Sequence, residues 1–298
     1  MTDAYQRFSP ARIWTLATST VTQLVRMKIV AFLAVFCVIV VAAAFAFPGL
    51  DAEQQLKQLK SVSFGAQLVF ALIIAIVATA LLLPKDVEDR TLYTILAKPV
   101  PRVDYLLGKL LGVLMLMGAG LIIMQIVCSA VLWIREGMVV NETIASIKER
   151  YKGDVPPEAM ASVMTNIHAQ GLAWSLHLGT LAIFLKGAVI ASLALLISTF
   201  ASSTLFTVIS AFCMTVLGHG EGLLREYFMR GDATIWQTAL SIAIAIICPD
   251  LSLFEAVDAV VIGKAVSATS VLYMIWAAGL YVVGYTAVAC FLFKDKEL

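Results

Sequence analysis

Few residues in this sequence have the types and spacing that chemistry requires. The three histidines, His168, His177 and His219, form no HExxH or other metal-ligand pattern, and no serine lies in a G-x-S-x-G elbow. Interfacial polar residues are the ordinary interpretation of such histidines. One alternative stays open: His168 and His177, with acidic residues of the same loop, would be the site of a membrane enzyme acting at the lipid interface.

The sequence also contains no phosphate-binding loop. Gly-Lys occurs at Gly108-Lys109 and at Gly263-Lys264, and neither pair is followed by Ser or Thr. Neither pair has the earlier glycine of the loop whose backbone N–H groups cradle phosphates. We therefore expect no cofactor in this chain, so that any ATP-driven work must be done by another subunit.

The elements that position these polar residues are strongly apolar. Of the 298 residues, 61% are hydrophobic and 14% are charged, whereas soluble domains have about 45–50% apolar and about 25% charged residues. The composition predicts an all-α integral membrane protein. A net charge of +1 gives no reason to expect a nucleic-acid partner, and the five single cysteines have no metal or redox spacing.

Six apolar runs are predicted to cross the membrane, since a hydrocarbon core of about 30 Å takes about 20 helical residues. They are 29–47, 64–83, 109–134, 178–200, the shorter 203–218, and 270–293. The first run ends in an A-x-A pattern but is too long for a signal peptide, so we expect a retained helix. A further run, 235–248, either spans, giving seven crossings, or is a re-entrant or interfacial outer helix. The density of Lys and Arg favours six crossings with both termini in the cytoplasm.

Residues 9–27 read as an N-terminal amphipathic helix, which Ser9 can cap and Pro10 suits in its first turn. We expect this helix to lie in the membrane interface before the chain turns in, although a soluble helix packed on a partner would show the same pattern. The expected apolar face consists of Ile13, Trp14, Ala17, Val21, Leu24 and Val25.

The polar segment 84–109 separates two apolar runs and is not a simple linker. Residues 86–97 read as a short amphipathic helix with acids in its first turn, where the helix dipole favours negative charge, and an apolar face. Pro99 and Pro101 end it, and a second helix starts at Val103. The acids are Asp86, Glu88 and Asp89, and the apolar face is Leu92, Ile95 and Leu96. A structured, charged and partly apolar loop is suited to binding another protein.

Other single features have simple interpretations. Lys186 is the one charge clearly inside a predicted crossing, which makes it a functional candidate, with snorkelling toward the outer interface as the alternative. Gly108 and Gly112 form a GxxxG pattern that predicts close helix packing. Residues 135–174 are a long outer loop with helices expected up to Lys152 and from Glu158. An ion-driven secondary transporter remains an alternative, but it would need several intramembrane carboxylates.

Four segments, in order, carry a resemblance to a known family. The first and longest comprises Glu88, Arg90-Thr91-Leu92, Leu96, Pro99-Val100-Pro101-Arg102 and Tyr105-Leu106-Leu107-Gly108-Lys109. The others are the turn at 195–203, the segment Cys248-Pro249-Asp250-Leu251-Ser252-Leu253-Phe254 and the tail Phe293-Lys294-Asp295-Lys296. Together they resemble permeases of the type-2 ABC exporter class. Pro101, where serine is common, and the longer outer loop depart from the family pattern.

The resemblance implies one transmembrane domain over 1–298, with six crossings, in the cytoplasmic (inner) membrane. It implies that 9–27 is a connecting helix, 86–97 a coupling helix in the loop 84–109, and 235–248 a re-entrant outer helix. Expected partners are a separate ABC ATPase subunit that holds ATP and Mg, a second copy or homologous permease, membrane lipids and outer-side accessory proteins. The implied ATPase-coupling residues are Asp86, Glu88, Asp89, Arg90, Thr91, Leu92, Tyr93, Leu96, Pro99 and Arg102. The transported substrate stays undetermined.

Overall fold

A computed structural model describes most of the chain. The described residues are 9–26, 29–46, 50–82, 101–150, 157–171, 173–201, 203–229, 236, 248–264 and 266–294. Their regular structure is helical, and none of them forms a β-strand. The α-helices are α1 (Pro10–Val25), α2 (Ile29–Phe45), α3 (Ala52–Ile73), α4 (Arg102–Arg150), α5 (Pro157–Gln170), α6 (Ser175–Phe200), α7 (Thr204–Met229), α8 (Ala256–Val261) and α9 (Ala268–Lys294). A π-helical turn (Ile74–Ala78) prolongs α3, and a 3-10 turn (Leu251–Phe254) precedes α8.

Four helices in the described part of the chain are long and apolar enough to cross a membrane. They are Ala52–Leu82, Arg102–Glu149, Ser175–Phe200 and Ala268–Phe293. Two shorter apolar helices, Ala31–Phe45 and Thr204–Gly220, coincide with the first and fifth predicted crossings. The all-α membrane class predicted from composition is thus confirmed, whereas the count of six crossings stays a prediction. The segment 235–248 lies outside the described residues except for Trp236 and Cys248.

Helix α4 is much longer than the crossing predicted at 109–134. Its 49 residues extend about 74 Å, more than twice the thickness of a hydrocarbon core. No proline occurs between Pro101 and Pro156, so nothing in the sequence removes a helical hydrogen bond along this stretch. The helices expected within 135–174 are confirmed, because α4 continues to residue 150 and α5 follows.

Helix α6 lies at the centre of the bundle and packs against α3, α4, α7, α8 and α9. Its buried residues are mostly small, including Ala188, Ala191, Ser192 and Ala194, and small residues let helix backbones approach closely where no water drives association. Helix α9 contacts α6 along one side and leaves large apolar side chains such as Trp276 and Phe291 exposed. The buried core therefore runs along α6.

Helix α1 packs lengthwise on the first turns of α4. Its buried residues are Ile13, Ala17, Thr20 and Leu24, whereas Trp14 and Val25, predicted on the same face, are exposed. Burial of Thr20 leaves no unpaired hydroxyl, because the hydroxyl donates to the Leu16 carbonyl at 2.8 Å. The contact strip is therefore narrower than the apolar stripe of the sequence and is rotated toward Thr20.

Candidate functional site

Most residues of the predicted ATPase-coupling surface are not part of the described structure. Those outside it are Asp86, Glu88, Asp89, Arg90, Thr91, Leu92, Tyr93, Leu96 and Pro99. Arg102, Gly108, Gly112 and Lys186 are described. The described structure therefore shows only the end of the loop, residues 102–109, which form the first turns of α4, and the elements that contact those turns. We call the contacts of residues 102–112 with α1 and α9 the junction.

Arg102 ties the start of α4 to the end of α9. Its Nη1 donates to the Phe293 carbonyl oxygen at 2.9 Å, and its guanidinium carbon lies 5.9 Å from the centroid of the Phe293 ring. The fully buried Tyr105 stacks on the same ring, with centroids 6.2 Å apart. Carbonyls in the last turn of a helix have no partner within that helix, and a cation there also meets the negative end of the dipole. Arg102 therefore caps α9.

Asp104 ties the start of α4 to α1 and is only 1% exposed. Its Oδ2 accepts from Arg12 Nε and Nη2, each at 3.0 Å. The carboxylate lies in the first turn of α4, where the helix dipole also favours negative charge. Sequence reasoning missed this pair: the first-turn acid was visible, but its partner is 92 residues away.

The two glycines of the GxxxG pattern face α1. A Cβ atom on Gly108 would lie 2.5 Å from Leu16 Cβ, and one on Gly112 would lie 2.6 Å from Thr20 Cβ and 2.8 Å from the Ala17 carbonyl oxygen. Lys109, between them, donates from Nζ to Gln23 Oε1 at 3.3 Å. Any larger residue at either glycine would push α1 away, so the junction depends on their lack of a side chain.

A polar cluster joins three candidate spans within the bundle. Gln67 of α3 donates from Nε2 to Gln125 Oε1 of α4 at 3.2 Å. The Thr180 hydroxyl of α6 lies 2.7 Å from Gln125 Oε1 and 2.9 Å from Gln67 Oε1. A hydroxyl has one proton, so it donates a hydrogen bond to only one of these oxygens at a time. All three side chains are buried. Glutamines inside apolar runs were the available sequence signal.

Lys186 of α6 is 6% exposed and lines a cavity of about 550 Å³. We call it the Lys186 cavity. Its polar lining also includes His219 of α7 and the carboxylates Glu255 and Asp258, which act electrostatically on Lys186. Its apolar wall includes Phe64, Leu68, Ile183 and Phe254. Sequence reasoning identified the charge in the span but not the carboxylates that face it.

The three histidines lie in separate environments. His168 Nδ1 is 2.8 Å from Glu136 Oε1, His177 meets the edge of the Trp174 ring with centroids 5.1 Å apart, and His219 Nδ1 is 2.8 Å from the Thr215 carbonyl oxygen. Among the described residues, no group of three or more His, Cys, Asp or Glu side chains could hold a metal ion. The His168–Glu136 contact is a base beside a carboxylate that can orient it, whereas His177, the other histidine of the interfacial-enzyme alternative, contacts an aromatic ring.

The fold defines a class first: a multi-span helical membrane protein with an ordered helical junction beside a polar loop. The comparison with known proteins then gives a family. Residues 23–151, which include the whole loop 84–109, match the family described as ABC-2 family transporter protein, an ABC-2 type transporter permease family. This confirms the predicted family over those residues, and it is a transport family rather than an enzyme family. No curated protein matches the chain.

Proposed function

We propose that this chain is the permease subunit of an ATP-driven ABC exporter, and that a separate ATPase subunit docks on the loop 84–109. The observation that carries the proposal is the family match, which extends from α2 through this loop and along α4. The absence of a phosphate-binding loop from the sequence agrees with it. ATP and Mg would bind to the partner, and 86–97 would be the helix that the ATPase grips, with Glu88 and Arg90 central to it.

The junction supports a route for force from that loop into the bundle. The loop leads directly into α4, whose first turns are held to α1 by the Arg12–Asp104 pair and to α9 by Arg102. A displacement of the loop would therefore move α1, α4 and α9 together instead of bending one helix. Rigid-body motion of packed elements is a common way to couple distant sites.

The remaining architecture belongs to the same proposal. Six crossings place both termini in the cytoplasm of a cell with this protein in its inner membrane, consistent with the Lys and Arg distribution. A second copy or a homologous permease would complete the transmembrane path. Each copy would dock one ATPase subunit on its own loop 84–109. Export, and not import, follows from the resemblance to type-2 exporters.

Co-expression with its neighbouring genes, including any that encodes an ABC ATPase, tests the proposal. We expect the two proteins to purify together and expect Glu88→Lys or Arg90→Glu to abolish ATPase stimulation while membrane insertion continues. Glu53→Lys, a charge reversal of a partly exposed first-turn acid in α3, is the matched control and should leave stimulation intact. Unchanged stimulation in both loop variants, or failure of any ATPase to co-purify, contradicts docking at this loop.

A further inference from the structure

The Lys186 cavity has the size and lining of a ligand site. Its volume of about 550 Å³ lies within the range of about 300–1,000 Å³ usual for small-molecule sites. Its walls come from α3, α6, α7 and the segment 254–262, and they combine apolar side chains with a few polar groups. Sites for small molecules are typically lined in this way, mostly apolar with a few polar groups that fix orientation.

The Lys186 residue is buried overall, and its ammonium group has no bound partner among the described residues. Within the described part of the chain it makes no hydrogen bond, and no carboxylate is at ion-pair distance. Lys186 is the twelfth residue of the 26-residue α6, so its Cα lies near the middle of a candidate span. An ammonium group buried there is costly unless it is paired. The cavity leaves room for an anionic group to supply that pairing.

Two carboxylates lie at the more exposed part of the same cavity. Glu255 and Asp258 are exposed, in contrast to Lys186, and both act on it electrostatically. His219 adds a hydrogen-bonding group: its Nδ1 donates to the Thr215 carbonyl, so Nε2 is the ring nitrogen that a ligand can meet. The cavity therefore combines one positive group on a buried residue with two negative groups on exposed residues.

The segment that carries the carboxylates is fixed at both ends. At its start, Asp250 Oδ1 accepts from the Ser252 amide at 3.1 Å, and the Asp250 amide donates to Tyr281 of α9 at 3.2 Å. At its end, Gly263, with φ of 82°, closes α8, and Lys264 N donates to the Ala259 carbonyl at 2.8 Å in a Schellman arrangement.

A buried bridge adds to the closure at the end of the segment. Lys60 of α3 donates to Gln170 Oε1 at 2.7 Å, and Gln170 Nε2 donates to the Ile262 carbonyl at 3.0 Å. The backbone on either side of the two carboxylates is thus tied to three other helices, α3, α5 and α9. A fixed backbone lowers the ordering cost of binding.

We propose that the Lys186 cavity binds a zwitterionic amphiphile, with an anionic group on Lys186 and a primary ammonium group beside Glu255 and Asp258. The apolar body of the ligand lies against Phe64 and Phe254 of the cavity wall. Aminophospholipids and short hydrophobic peptides both have this chemistry. The inference goes beyond the proposed function: binding needs no ATPase, so a failed docking experiment would leave it standing.

Calorimetric titration of the purified full-length chain in detergent tests the proposal with two probes, dihexanoyl-phosphatidylethanolamine and trileucine. We expect at least one to bind, and we expect Lys186→Met to weaken that binding by about 10- to 100-fold. Lys264→Met, at an exposed lysine beyond α8, should have no effect. The probe that binds distinguishes a lipid from a peptide ligand. Absence of binding by both, or equal binding by Lys186→Met, overturns the proposal.

Two further variants keep the test informative if Lys186→Met is poorly folded. Gly65 lines the cavity, and a Cβ there would meet nothing within 4 Å, so we expect Gly65→Leu to narrow the cavity and weaken binding. Glu255→Gln with Asp258→Asn should remove the preference for dihexanoyl-phosphatidylethanolamine over dihexanoyl-phosphatidylglycerol, which lacks the ammonium. Unchanged affinity in Gly65→Leu, or equal binding of both lipids by the unmodified chain, contradicts this placement of the ligand.

Discussion

The buried charges of Asp104 and Lys186 differ in what surrounds them. Asp104 is 1% exposed and is held by Arg12 in an ion pair at 3.0 Å, in a contact that also brings two glycines against α1. Lys186 is 6% exposed and faces open volume, with its carboxylates beyond contact. A closed pair fixes two helices relative to one another, whereas an open charge is available to a ligand. On the two proposals made above, the first region would transmit force and the second would bind a ligand.

Arg12→Met should have the largest effect, because it turns the closed pair into an uncompensated buried charge. Removing one partner of a buried pair leaves the other desolvated and alone, and we expect the free energy of unfolding to fall by about 3 kcal/mol. Titration with a denaturing detergent in mixed micelles measures it. Lys57→Met, which breaks the partly exposed Glu53–Lys57 pair of α3, is the control and should lower the free energy of unfolding by only about 0.3–0.5 kcal/mol. Equal effects of the two substitutions would mean that Asp104 does not depend on Arg12.

Gly112→Ala should have the next largest effect, since one methyl group suffices to separate α1 from α4. Overpacking at such a contact lowers the free energy of unfolding by about 1–3 kcal/mol. Gly137→Ala is a matched control in the same helix: a Cβ there meets nothing within 4 Å, and alanine is the better helix former by about 1 kcal/mol. The same denaturation assay should therefore give opposite signs for the two variants. A shared sign would show that helix propensity outweighs the close approach.

Lys186→Met should have the smallest effect on stability and the opposite direction from Arg12→Met. It removes a charge that has no partner and leaves behind carboxylates that are exposed, so the free energy of unfolding should rise or stay within about 1 kcal/mol. For Lys186→Met the denaturation assay should therefore show stability retained, while the binding assay should show affinity lost. A loss of stability as large as that of Arg12→Met would instead make Lys186 a structural residue.

Sequence reasoning predicted the helices well and their partners poorly, for a physical reason. Long apolar runs and the absence of proline act locally, so the membrane class and the helices within 135–174 were predictable. The Arg12–Asp104 pair and the contacts of Gln67 with Gln125 and Thr180 join residues 58 to 113 positions apart. Such pairing depends on how helices are arranged, which no single segment encodes.

In the candidate site, too, local features were predictable and long-range contacts were not. The motif around Pro99 and Arg102 predicted the family, which residues 23–151 match, but the coupling role of 86–97 stays a prediction. For Lys186 the sequence indicated an unusual charge and left two interpretations open. The carboxylates that face it lie about 70 residues downstream, Asp258 in a short helix that periodicity did not reveal and Glu255 directly before it.

The length and continuity of α4 determine how far its end moves when the helix tilts. At its start it is fastened to α1 and α9, and about 50 Å further along, Arg135 of the same helix donates to Gln55 of α3 at 2.7 Å. Because no proline interrupts it, a tilt of about 5° at one end displaces the other by about 6 Å, over a length of about 74 Å. A small rotation at the fastened start of α4 would therefore become a displacement of several ångströms at its far end.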